Sequence, residues 1–274
     1  MSSLASIDDG SGLAGKVAVV AGAGAQGDGI GNGRATALLL ARWGVRVVAV
    51  DHDLTLAERT CEMIVEGGGD AIAVRADVST EDGCRAMIDR AVGHYGRLDL
   101  LDNNVGVTPR GTVVETDLAD WRRTVAINLD SVYLACKFAI PAMLDTAGSG
   151  AIVNVSSIAG FRPAGGRACY AATKAAVMGL TRELAVDHGR QGIRSNCVVP
   201  GPVFTPLVEA QGAVRPEARE RRKQSTLVTI EGNGWDIGHA ARFLLSDQAR
   251  FINGEALLVD GGTLLVGPDI RPET

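Results

Sequence analysis

A chain of 274 residues in which 46% are hydrophobic carries enough apolar surface to bury one large α/β core. Its net charge of -5, with acids and bases mixed along the chain, excludes the basic footprint of a nucleic-acid binder. Five widely spaced cysteines without a CxxC, and histidines at 52, 94, 188 and 239 without ligand spacing, argue against a disulfide framework and a metal site and point to reduced thiols in the cytoplasm.

The N-terminus is rich in Ser, Gly and Asp and lacks a secretion signal's apolar run. Residues 1–14 read as a loose tail, 15–266 as one domain and 267–274 as a second tail. No apolar stretch reads as long enough to cross a bilayer. Short apolar runs at 16–21, 45–50, 71–76, 98–102, 151–155, 195–199 and 256–259 read as strands. Segments with helical spacing at 34–43, 54–66, 81–95, 118–144, 170–188 and 235–245 fall between them. Strands apolar throughout are buried on both faces, and strands alternating with helices form a parallel sheet. The pattern predicts a single-domain, doubly wound α/β fold of the Rossmann type, with about seven strands and helices on both faces. The segment 203–233 interrupts the alternation with prolines and glycines and reads as an insertion lining a substrate pocket. The charge run Arg219-Glu-Arg-Arg-Lys223 reads as a solvated helix face.

The first strand breaks into AGAGAQGDGIGNG, residues 21–33, before a helix begins. Glycines let a backbone approach a pyrophosphate, and a helix N-terminus supplies free N–H groups. GxGxxG spacing is met by Gly22, Gly24 and Gly27, with more glycines at 29, 31 and 33, so several phosphate-facing sets remain open. Asp51 ends the second strand. A carboxylate there accepts hydrogen bonds from ribose hydroxyls and repels a 2′-phosphate, which favours NAD; the alternative is a helix-cap role beside Asp53.

Tyr170 and Lys174 stand one helical turn apart and share a face. An ammonium lowers a phenol's pKa and makes it a usable acid/base. Ser157 follows a buried strand, where it can donate to a substrate oxygen or serve as a turn or cap residue. Cys169 has no His partner in the sequence pattern and reads as a packed thiol.

Taken together, AGAGAQGDGIG (21–31), Asp51, Asp77-Val78, NNVG (103–106), Asn128, Ser156-Ser157, YAATK (170–174), PGPVFTP (200–206) and VDGG (259–262) resemble the short-chain dehydrogenase/reductase family over residues 15–262. The resemblance implies NAD-dependent hydride transfer between nicotinamide and a secondary alcohol or ketone. It implies that Tyr170 exchanges the proton, Ser157 orients the substrate oxygen, Lys174 holds the nicotinamide ribose, and Asn128 maintains a water-linked proton path. It puts Gly22, Gly24, Gly29, Ile30 and Gly31 at the cofactor without saying which of them face the pyrophosphate, Asp77 and Val78 at the adenine, and Asn104, Val105 and Gly106 along the cofactor. Pro200, Gly201, Val203 and Thr205 would meet the nicotinamide end. It also implies a homotetramer built on the helices 118–144 and 170–188 and the C-terminal strand, with the apolar stretch 256–266 in keeping.

The chain departs from the family pattern in Ala21 for Thr, in NNVG for NNAG, and in a longer glycine loop that carries Asp28. Phe161, Val107, Phe204 and Leu207 are candidate apolar walls of the pocket, and Arg110 and Arg162 candidate polar contacts. Two other functions compete: a nucleotide-sensing regulator or scaffold without turnover, and an epimerase or lyase acting through a transient ketone.

Overall fold

The computed structural model describes residues 10–210 and 215–265. Seven parallel strands, β1 (Val17–Ala21), β2 (Arg46–Asp51), β3 (Ala71–Arg75), β4 (Leu100–Asn103), β5 (Gly150–Val155), β6 (Ile193–Pro200) and β7 (Ala256–Val259), form one sheet in the order 3-2-1-4-5-6-7. Strand β1, Val17–Ala21, is apolar on both faces and buried throughout; β4 and, past Gly150, β5 are also buried but carry Asp102, Asn103 and Asn154. Helices α1 (Asn32–Arg42), α2 (Leu54–Glu66) and α9 (Gly234–Leu245) cover one face; α3 (Glu81–Tyr95), α5 (Ser131–Ala147) and α6 (Ala168–His188) cover the other. Strand order reverses between β1 and β4, so the crevice above their C-terminal ends is where such a sheet binds ligands.

Local chemistry sets the helix ends. Asp53 caps α2 by accepting from Thr55 N at 3.0 Å, Thr80 caps α3 through Gly83 N at 3.1 Å, and Asn233 with Asp236 makes a reciprocal capping box on α9. A side chain at Gly238 would come within 2.9 Å of Ala35, so α9 crosses α1 at close range only because that residue is glycine.

Three expectations need correction. Of the tail read over 1–14, residues 1–9 lie outside the described residues, but Leu13 is fully buried in the core and the Ser11 carbonyl accepts from Asp247 N at 2.8 Å. Its leucine makes the chain pack before residue 15. The helix read over 118–144 is α4 (Leu118–Val125) joined to α5 by a π turn, Ala126–Asp130. The helical run is thus 30 residues, long and apolar enough to span a bilayer by length and composition. Its face of Val132, Ala135, Cys136, Ala139 and Met143 is buried in the core, which makes it a core helix. Residues 266–274, which include the second tail and the end of the apolar stretch 256–266, lie outside the described residues.

The insertion contains two short helices, α7 (Pro206–Ala210) and α8 (Pro216–Gln224). Its base is closed by pairing of Phe204 with Asn233. The charge run does more than meet solvent. Arg219 stacks 4.4 Å over the Phe204 ring and its Nε donates to Glu231 at 3.0 Å, and Arg222 lies 5.9 Å from the same ring. Those contacts tie α8 to the insertion's base.

Candidate active site

The glycine loop leaves β1 under two constraints. Gly22 has φ +80°, which favours glycine, and its carbonyl lies where a Cβ on Gly33 would sit, at 2.2 Å. Gly33, in the first turn of α1, is therefore the glycine that lets helix and strand meet. Gly27 plays no such part, because a Cβ there would meet nothing within 4 Å. The five-residue-spaced pattern Gly22, Gly24, Gly27 is thus not the packing set; the extra loop residues push the helix-packing glycine to 33. Gly31 is the N-cap residue of α1, and Ile30 and Gly31 pass beside the start of α9, where a Cβ on Gly234 would be 2.7 Å from the Ile30 carbonyl. A Cβ on Gly29 would strike Pro206 at 2.5 Å, so the insertion begins on the glycine loop itself.

Asp51 faces the same loop. Its Oδ2 accepts from Gly24 N at 3.1 Å, its Oδ1 accepts from Asp53 N at 3.2 Å, and His52 Nδ1 lies 2.8 Å from Oδ1. A Cβ on Gly24 would lie 2.5 Å from Oδ2 and 2.6 Å from the Leu56 Cβ, so a side chain there would displace Asp51 or Leu56. Asp53, and not Asp51, caps α2. Asp28 points away into solvent and pairs with Arg59 at 2.7 Å, a hydrogen bond that holds its carboxyl below the ordinary range.

Across the switch point, Asn104 N donates to Ala21 O at 3.0 Å, and its side-chain amide to Gly22 O at 3.3 Å. Val105 packs against Gly22, and Val78, Ala21, Asn103, Val105, Ser131 and Val132 line a small crevice at the strand ends. The exposed Asp77 carboxylate accepts from Ser79 N at 3.0 Å in the turn before α3. Gly201 lies where a Cβ would be 2.5 Å from Asp260, which joins the ends of β6 and β7. Thr205 is buried, and Val203 N donates to Gly201 O at 2.8 Å.

Tyr170, Lys174 and Ser157 meet at the ends of β5 and α6. Ser157 hydrogen-bonds the Tyr170 side chain, and the Lys174 ammonium lies 5.9 Å from the Tyr170 ring centre. Lys174 is buried and donates to Val155 O at 2.8 Å; burial lowers its pKa to about 8. The phenol also moves against expectation. Burial raises the Tyr170 pKa, outweighing the Ser157 hydrogen bond and the charge of Arg167, which both lower it. Lys174 is not among the groups that lower it here, since its ammonium is turned to the Val155 carbonyl.

Asn128 sits in the π turn, fully buried. Its Oδ1 accepts from Val107 N at 2.8 Å and its amide donates to Val107 O at 2.9 Å and to Thr173 Oγ1 at 3.2 Å. The widened turn thus aims the side chain at the loop after β4. A Cβ on Gly106 would lie 3.1 Å from Lys174 Nζ and 3.5 Å from Asn128 Oδ1, so this glycine leaves room for the ammonium.

Some expected contacts fall elsewhere. Arg162 donates to Thr263 O at 2.6 Å, so it braces the C-terminal turn. Cys169 is a packed thiol, buried 3.5 Å from Trp121 O. Sequence reasoning missed Asn154 and Thr181, which continue a buried ladder from Asn103 of the NNVG run: Asn103 donates to Asn154 at 2.9 Å and Asn154 to Thr181 at 3.0 Å. Arg34 was missed as well.

The glycine loop at the C-terminal end of β1 and the Asp51 carboxylate at the end of β2 flank the point where strand order reverses, an arrangement that fits a dinucleotide. A family model described as enoyl-(acyl carrier protein) reductase matches residues 24–263. The chain belongs to the short-chain dehydrogenase/reductase family. It is 42% identical to cis-4-hydroxycyclohexanecarboxylate dehydrogenase of Sinomonas cyclohexanicum, across 92% of this chain and 98% of that relative. It is 37% identical to cyclohexanol dehydrogenase of Acinetobacter sp. (strain SE19), across 90% and 94%. A solved 7α-hydroxysteroid dehydrogenase, complexed with NADH and 7-oxo glycochenodeoxycholic acid, superposes with a TM-score of 0.85 at 32% identity, covering 91% of this chain and 94% of that one. As a member of the family, this short-chain dehydrogenase/reductase is an oxidoreductase whose relatives are secondary-alcohol dehydrogenases.

Proposed function

We propose that the chain interconverts an alicyclic secondary alcohol and its ketone with NAD, Tyr170 exchanging the proton with the substrate oxygen. The observation that carries this reading is the convergence of Ser157, Tyr170 and Lys174 at the mouth of the crevice. The glycine loop and Asp51 would hold the nicotinamide cofactor, which when bound would supply or accept the hydride. Ser157 holds the substrate oxygen and Tyr170 gives or takes its proton. Lys174 keeps a cation beside the phenol, and Asn128 holds the loop 105–107 that frames that cation. A proton relay to oxygen suits the dehydrogenase relatives better than the alkene reduction in the family model's description.

The preference for NAD rests on Asp51, a largely buried carboxylate at the end of β2 with Gly24 pressed against it. A 2′-phosphate would be repelled there. Relatives acting on cyclohexane rings support an alicyclic substrate, and a carboxylate on such a ring would find Arg167 near the phenol. A homotetramer in the cytoplasm fits five free cysteines, the fully exposed Phe251 and the half-exposed Leu258 on edge strand β7.

The test is turnover of cyclohexanol and cis-4-hydroxycyclohexanecarboxylate with NAD and with NADP, followed by absorbance of the reduced cofactor. The reading expects kcat/KM to favour NAD, and Asp51→Ala to erode that preference. Cofactor binding without turnover across a panel of secondary alcohols would favour the silent regulator, and product without net cofactor change the epimerase.

A further inference from the structure

Arg34 lies in the first turns of α1 and is fully buried. All five of its N–H groups are used. Nη1 donates to Gly27 O at 2.6 Å and Gly29 O at 2.8 Å, Nη2 to Ala25 O at 2.8 Å and Leu56 O at 3.3 Å, and Nε to Thr60 Oγ1 at 2.9 Å. Thr60 then donates to Ala23 O at 2.8 Å. One side chain, with one relay, thus gathers four carbonyls from alternate residues of the glycine loop, those of residues 23, 25, 27 and 29.

Two consequences follow from elementary chemistry. A trans peptide points its C=O and the next N–H in opposite directions. Carbonyls of 25, 27 and 29 drawn onto the guanidinium therefore turn the amides of Gln26, Asp28 and Ile30 away from it. Among the described residues none of these three amides donates a backbone hydrogen bond outside helices and strands. The second consequence concerns charge. A buried cation is costly unless compensated, yet all of these five bonds go to neutral oxygens. Asp28 is engaged by Arg59, and Asp28 and Asp51 reach Arg34 only as charges.

Resting on the dinucleotide reading above, we infer that Arg34 is a positioning residue for the cofactor's diphosphate: it holds the long glycine loop with its free amides outward and places a buried positive charge behind them. The diphosphate would bring an anion close to a guanidinium whose own hydrogen bonds all go to neutral oxygens. The loop also carries Gly29, against which Pro206 of the insertion packs, so Arg34 sets the seat of the insertion too.

The experiment titrates wild type, Arg34→Met, Arg34→Lys and Thr60→Val with ADP-ribose by calorimetry and with adenosine by ligand-observed NMR, with circular dichroism to verify folding. Arg34→Met should bind ADP-ribose weaker by about tenfold or more, and Arg34→Lys by less, because lysine keeps the charge but offers fewer donors. Adenosine binding, which does not involve the diphosphate, should stay within about twofold of wild type. A folded Arg34→Met that binds ADP-ribose like wild type overturns the inference, and so does equal loss of both ligands, the mark of a general loosening. If Arg34→Met does not fold, Arg34→Lys and Thr60→Val decide by the same comparison: selective loss of ADP-ribose supports it, and no loss overturns it. If wild type binds neither ligand, the dinucleotide reading itself has failed.

Discussion

A carboxyl group in the middle of a parallel sheet occupies the poorest solvent the fold offers, and Asp102 on β4 has both oxygens buried without a hydrogen-bond partner. Burial pushes its pKa to about 7, and the nearby Thr36 hydroxyl, which donates to Asn32 O at 3.1 Å, offsets this only in part. The sign follows from proton counting. The folded state keeps the proton to higher pH than the unfolded chain, so stability falls as pH rises from about 4 to about 7, and the penalty is complete above that. Asp102→Val should therefore stabilise the protein at pH about 8 by a few kcal/mol and flatten that decline. Urea unfolding at acidic and alkaline pH checks it, and a variant no more stable than wild type at alkaline pH contradicts it. Tyr170 is governed by the same burial. Its pKa is raised by burial, so at neutral pH the phenol holds its proton, the form ketone reduction needs. Alcohol oxidation should accelerate and reduction slow as pH climbs above neutral. Tyr170→Phe should cut kcat by about 10²–10⁴-fold while leaving the Kd for cofactor near wild type, measured by steady-state kinetics and calorimetry.

At the scale of elements, the site depends on places where two backbones touch. The Gly22 carbonyl against α1 leaves 2.2 Å for a Cβ at 33, so Gly33→Ala must push helix from strand. It is expected to lower the melting temperature and weaken cofactor binding together, whereas Gly27→Ala, with open space around it, should lose little beyond the strain of its φ of +52°. Thermal melts of the two variants with and without NAD make the comparison, and equal losses would refute it. The insertion is held differently, by side chains. Arg219→Ala removes both the stacking on Phe204 and the pairing with Glu231, so the alcohol KM should rise with little change in melting temperature. The π turn between α4 and α5 shows why the long helix did not read as interrupted: its residues AINLD include no proline or glycine, and the widened turn seats the Asn128 amide on Val107.

For the molecule as a whole, binding to the folded state alone must stabilise it. NAD at about 100 times its Kd should add about 2.7 kcal/mol, and NADP at the same concentration less, which differential scanning fluorimetry reads as a larger shift for NAD. The edge strand β7 with Leu258, and the exposed Phe251, are the apolar surface that the proposed homotetramer would cover.

What the residues alone determined is the layered architecture and the chemical set. Apolar runs alternating with amphipathic stretches admit only a parallel sheet between helices, and Tyr170 and Lys174 share a helix face because four residues make a turn. Asp51 and Ser157 were legible because they follow strands that end at the crevice. Tertiary structure alone decided which glycine packs, where Arg34 and Arg162 reach, and which way the Tyr170 pKa moves. Those are matters of distance and burial between segments far apart in the chain, and no local pattern encodes how deeply a side chain will be buried or which distant carbonyl it will meet.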